Sequence, residues 1–134
     1  MQKKAKHSEL RSALLIEDCL EVREFIYEFL SLEGYSVVSS NSGGRGWRFI
    51  RDAEFDLVIM DIGLPEIDGI ELLRKMRENN IMTPVLLISG VSLNKVWICN
   101  NLPACAIVHK PFNLREIKTA INGLLNFNYY VNQE

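Results

Sequence analysis

The chain has 134 residues, 48% of them hydrophobic and 24% charged, with a mean hydropathy of +0.03; this balance fits one soluble domain around a single core and excludes a disordered or membrane-embedded chain. Fifteen Lys and Arg against seventeen Asp and Glu leave a formal charge of -2, so there is no basic excess to drive phosphate-backbone binding, and a nucleic-acid binder is disfavoured. Residues 1–11 carry Lys3, Lys4, Lys6 and Arg11 without an apolar run, which reads as a flexible extension on a cytoplasmic protein with no membrane partner.

The first predicted element is a buried strand over 13–16, leading straight into Glu17 and Asp18. Val22, Phe25, Ile26, Phe29 and Leu30 then fall on one helical face, and Gly34 can end that helix. Residues 35–39 form a weaker strand in which only Val37 and Val38 are strongly apolar, as suits a sheet edge. A helix is expected over 42–51 despite Gly43, Gly44 and Gly46. The run 41–46 matches neither phosphate-loop pattern and reads as a flexible turn. A second strongly apolar strand, 57–60, leads into Asp61, and a helix over 70–78 follows with Asp68 as its cap and Leu72, Leu73 and Met76 facing inward.

A strand over 85–88 precedes Ser89 and Gly90, and a weak helix is expected over 92–100. The strand over 104–108 leads through His109 to Lys110 and Pro111. Asn113 caps a last helix striped by Leu114, Ile117, Ile121, Leu124 and Leu125, ending near Phe127 before a polar tail, 128–134. Strict alternation of strands and helices predicts an α/β fold: a doubly wound, five-stranded parallel sheet of flavodoxin-like order 2-1-3-4-5 with helices on both faces, occupying 12–127. Cys19, Cys99 and Cys105 are odd in number and lack metal-ligand spacing, so they are expected as buried free thiols.

In such a fold Glu17, Asp18 and Asp61 meet at the carboxyl edge of the sheet. Like charges raise one another's pKa, and a carboxylate trio persists most readily around a hard cation; an oxygen-only ligand set with room for water and phosphate suits Mg2+. Ser89 and Lys110 end at the same edge. A phosphoryl group in transfer spreads charge over its equatorial oxygens, which a metal, a lysine and a hydroxyl can stabilise, with Asp61 as the nucleophile.

Taken together, Glu17-Asp18, the D-x-x-x-P-x-x-D-G run from Asp61 through Pro65 and Asp68 to Gly69, Ser89, and Lys110-Pro111-Phe112 resemble the receiver domains of two-component response regulators, the CheY-like superfamily. The resemblance implies that Asp61 accepts a phosphoryl group from a phosphohistidine on a sensor histidine kinase or histidine phosphotransfer protein. It implies Asp18 and Asp61 as direct Mg2+ ligands, Glu17 as a ligand through water, and the Gly63 carbonyl as the backbone ligand. By the same resemblance Ser89 bonds a phosphoryl oxygen, Lys110 pairs with Asp61 and then with the phosphoryl group, and the Lys110-Pro111 bond is cis. Pro65, Asp68, Gly69 and Pro111 shape turns and caps. Three residues before the lysine, where the family commonly has a switch aromatic, stands Ile107, which has no ring to swing towards Ser89. Gly90 replaces a common alanine, and Gly63 and Val91 replace polar residues that tune phosphate lifetime in relatives.

Each residue taken singly has a plain structural use, such as Glu17 and Asp18 at a helix start; it is the constellation that points to phosphoryl chemistry. His109 lacks a second ligand nearby and reads as bland, and Trp47, Trp97, Tyr129 and Tyr130 suit either a core or an adhesive surface. The expected activity is a stand-alone phosphoacceptor rather than a turnover enzyme, signalling through a downstream protein or a homodimer formed by helix four (92–100), strand five and the last helix. Two rivals follow: an interaction module that works without phosphorylation, favoured by Ile107, and an aspartyl-phosphate phosphatase, disfavoured by Gly63 where a second acid would stand.

Overall fold

Apolar runs bounded by turn residues become strands where both faces can be covered. In the computed structural model, which describes residues 11–90, 98 and 101–132 and side chains as far as 126, the elements are β1 (Arg11–Ile16), α1 (Leu20–Leu32), β2 (Tyr35–Ser40), α2 (Gly43–Asp52), β3 (Leu57–Asp61), α3 (Gly69–Glu78), β4 (Val85–Ser89), β5 (Cys105–His109) and α4 (Leu114–Asn132). The strands are all parallel in the order β2-β1-β3-β4-β5, the predicted doubly wound arrangement. Most of the helix expected over 92–100 lies outside the described residues.

The two faces of β1 separate the core into two layers. Leu14 and Ile16 pack with Val58, Met60 and Leu87 beneath α2 and α3, whereas Ala13 and Leu15 pack with Ile59, Leu86 and Ile88 beneath α1 and α4. Burying each such aliphatic side chain contributes roughly 1.5–3 kcal/mol against solvent exposure. β3 and β4 are buried along their whole length, while β2 at the edge is half-exposed. None of the described helices is long and apolar enough to cross a membrane.

Four local expectations are corrected. Gly43, Gly44 and Gly46 form the first turn of α2 rather than a flexible turn, with Ser42 Oγ accepting the Arg45 amide at 3.2 Å as its cap. Glycine is required at 43 by close approach, since a Cβ there would stand 2.0 Å from the Ile67 carbonyl oxygen; a Cβ on Gly46 would stand 2.4 Å from Ile16 Cδ1 and displace that side chain. Ala104 is excluded from β5 by a φ of 57°, and the strand starts at Cys105. α4 continues past Phe127 to Asn132. Cys19 is exposed and Cys105 half-buried, because the first precedes a helix and the second lies on an edge strand.

Candidate phosphoacceptor site

The site is assembled by backbone hydrogen bonds that carry strand ends past the sheet. The Glu17 amide donates to the Ser40 carbonyl at 3.0 Å, the Ile62 amide to the Ile88 carbonyl at 2.8 Å, and the Lys110 amide to the Ser89 carbonyl at 2.7 Å. Glu17, Asp61, Ser89 and Lys110 thus converge from β1, β3, β4 and β5. Carboxylate oxygens of Glu17, Asp18 and Asp61 lie within 4.8 Å of one another, with Glu17 and Asp61 buried and Asp18 exposed.

Lys110 is the cation of this cluster. Its Nζ stands 3.3 Å from Asp61 Oδ2 and 3.5 Å from Glu17 Oε1. Burial pulls the Lys110 pKa down, but the two carboxylates outweigh it and the net shift is upward. Glu17 is completely buried. Its Oε2 accepts the Cys19 amide at 3.1 Å, whereas Oε1 has no hydrogen-bond partner beyond the long ion pair with Lys110. Burial, assisted by the nearby Asp61 charge, pushes the Glu17 carboxyl up to about 7, against the pull of the Cys19 amide and Lys110.

The loop after β3 is shaped to hold Asp61. The Gly63 amide donates to Asp61 Oδ1 at 3.3 Å, and the Gly69 amide donates to the Ile62 carbonyl at 2.8 Å. A Cβ on Gly69 would meet the Asp61 carbonyl oxygen at 2.5 Å, so this closure admits only glycine without rearrangement. Asp68 Oδ1 accepts the Glu71 amide at 2.9 Å and caps α3. The Pro65 carbonyl accepts the amides of Ile67 at 2.8 Å and Gly43 at 3.1 Å, and Glu66 between them takes a left-handed φ of 73°. The Lys110-Pro111 peptide is cis.

Ser89 is fully buried at the end of β4, opposite His109 in the β4–β5 register. Ile107 is buried in the layer beneath α2 and α3 and paired with Leu87. Two contributors have no signal in the sequence: Arg23, whose Nη1 donates to the Glu17 carbonyl at 2.7 Å, and Gly43, which seats α2 on the Asp61 loop.

The orphaned, buried Glu17 Oε1 and the oxygen-only donor set fit a hard divalent cation, and the donor set lacks the nitrogen and sulfur ligands of a structural zinc site. A nucleophilic aspartate with a lysine at its side and a cation-accepting acid pair can take up a phosphoryl group.

Comparison with known proteins agrees with this geometry. Residues 13–122 match the family model of the response regulator receiver domain. The chain is 30% identical over 117 residues to the response regulator receiver protein CpdR of Brucella abortus, covering 87% of this chain and 98% of that protein. It is 29% identical over 124 residues to the response regulator GtcR of Aneurinibacillus migulanus, covering 92% of this chain and 51% of that one; the chain spans about half the length of the other curated relatives it matches. The structure of a CheY-like response regulator receiver domain protein from Methanospirillum hungatei superposes with a TM-score of 0.82 at 26% identity, covering 91% of this chain and 98% of that one. The fold and the acid cluster define a signalling domain of the receiver class. This chain belongs to the response regulator receiver domain family.

Proposed function

We propose that the protein is a cytoplasmic phosphoacceptor that takes a phosphoryl group on Asp61 from a sensor histidine kinase or histidine phosphotransfer protein and signals through altered contacts with another protein. The observation that carries this reading is the placement of Lys110 Nζ 3.3 Å from Asp61 Oδ2 within a three-carboxylate cluster. In the reaction an Asp61 oxygen attacks phosphorus as the P–N bond of the donor phosphohistidine breaks, and the released imidazole takes up a proton. Lys110 holds Asp61 before transfer and then faces the phosphoryl oxygens, Ser89 supplies a hydroxyl, and the Gly63 amide orients the nucleophile. Asp18 and Asp61 directly, Glu17 through water and the Gly63 carbonyl would hold Mg2+, which neutralises the charge developing on the phosphoryl oxygens. Self-modification at one site, without turnover, distinguishes this role from a phosphatase.

The domain proper is taken as 12–127, with α4 running on to Asn132. The unit is read as working through partners, including a second copy docked through the segment 92–100, β5 and α4. Burial of Ile107 in the core favours one second reading, an interaction module that acts without phosphorylation. Incubation with Mg2+ and acetyl phosphate or a phosphorylated kinase, followed by intact-mass measurement, tests both. A single phosphoryl adduct, absent in Asp61→Asn and in chelator, is the expected result; a folded protein that gains no adduct from either donor leaves the constitutive module.

A further inference from the structure

The surface of α2 carries charge that the phosphoacceptor site does not use. Arg45 and Arg48, three residues apart on one face, line an open groove of 550 Å³ with Phe49, Asp52 and Ala53. Both arginines are exposed, and among the described residues neither has an ion-pair partner. Asp52, the one acid in the groove, is already engaged by Arg51 at 2.9 Å. Phe49 is half-buried, packed against the core, and is the apolar side chain of the groove lining beside the two arginines. Arg45 also borders a cavity of 210 Å³ with Arg23, Ser39, Ser40 and Asn41, which extends the cationic surface to the end of the edge strand β2.

We propose that this α2 groove is a docking surface for an acidic segment of a partner protein, with carboxylates on Arg45 and Arg48 and an apolar side chain over Phe49. Charge complementarity selects the occupant. Two unpaired, planar guanidinium groups are suited to bidentate carboxylate recognition, on a chain whose overall charge is -2. The chain's own residues 1–10 are a poor occupant, because they carry Lys3, Lys4 and Lys6 against the single acid Glu9. Nucleic acid is disfavoured as well, because two cations release few counterions.

A labelled peptide of alternating Glu and Asp with one central Leu serves as the probe, titrated by fluorescence anisotropy at about 0.15 M salt to screen weak long-range attraction. Amide NMR shifts locate the contact. Shifts confined to α2 and the end of β2 are expected, with affinity falling about tenfold in each of Arg45→Glu and Arg48→Glu while Mg2+ binding and thermal unfolding stay at wild-type values. Equal binding of the matching Gln/Asn peptide, shifts elsewhere, affinity unchanged in the two variants, or stronger Arg-dependent binding of a single-stranded oligonucleotide would each overturn the proposal. So would Arg-dependent self-association in sedimentation, which would make a second copy the occupant.

Discussion

The amide of Gly43 donates to the carbonyl of Pro65 across 3.1 Å, fastening the first turn of α2 to the loop that carries Asp61. The contact leaves no room for a side chain, since a Cβ on Gly43 would sit 2.0 Å from the Ile67 oxygen and 2.9 Å from its carbonyl carbon. Gly43→Ala is therefore expected to cost about 1–3 kcal/mol in urea denaturation through forced backbone displacement. Gly63→Ala is the control: nothing lies within 4 Å of its Cβ position, and its cost should stay within about 0.5 kcal/mol.

Glu17 is expected to tie any metal uptake by the acid cluster to pH. Its carboxyl is raised from 4.5 to about 7 by burial, so between those values the folded protein holds a proton that the unfolded chain has released. Without divalent cation, this group's contribution to stability is present below about 4.5 and is lost as pH rises through about 7. Thermal melts in chelator across this range should show the decline, and Glu17→Gln should flatten it. A Mg2+ ion held by the proposed site would have to displace the same proton, so its affinity is expected to fall by up to about tenfold per pH unit below 7 in calorimetric titration, less steeply in Glu17→Gln.

Lys110 competes with any cation for the acids. Replacing it in Lys110→Met removes the one positive charge within 4 Å of the Glu17 and Asp61 carboxylates among the described residues. Mg2+ affinity should therefore rise severalfold while adduct formation on Asp61 falls at least about tenfold. Parallel loss of both would show that Lys110 chiefly holds the fold of the site.

At the opposite end of the sheet, Arg77 on α3 donates to the carbonyls of Ile81 at 2.7 Å, Pro103 at 2.9 Å and Ala104 at 3.1 Å. Burial lowers its pKa to about 10, which leaves it charged at neutral pH. Arg77→Ala should cost about 2–4 kcal/mol, because charge-assisted bonds are lost and partly buried carbonyls are left without them. Denaturant melts measure this loss, and Mg2+ affinity of the folded variant should not change.

Legibility in the sequence followed physical locality. β1, β3 and β4 were readable because burial on both faces demands unbroken apolar runs, and Asp61, Ser89 and Lys110 were readable because each stands at or just after the end of such a run. α2 was obscured by its glycines, whose low helix propensity is offset by contacts with Ile16 and Ile67 that no local pattern displays. The exposed Cys19 defied the usual burial of cysteine because it sits at a helix start. The Arg77 bonds to Pro103 and Ala104 were invisible for another reason: their acceptors are backbone atoms 26 and 27 residues away, and any sequence has those.

Gly69 carries a consequence for how a change at Asp61 can spread. With no room for even a Cβ between Gly69 and the Asp61 carbonyl and Ile62 backbone, the first residue of α3 abuts Asp61 with no side chain between them to act as a cushion. A shift of the Asp61 backbone by a fraction of an ångström must be taken up by the start of α3, whose Lys75 ammonium lies 4.9 Å from the Trp47 ring of α2. Displacement at the acid pocket is in this way geared to the relative position of two helices.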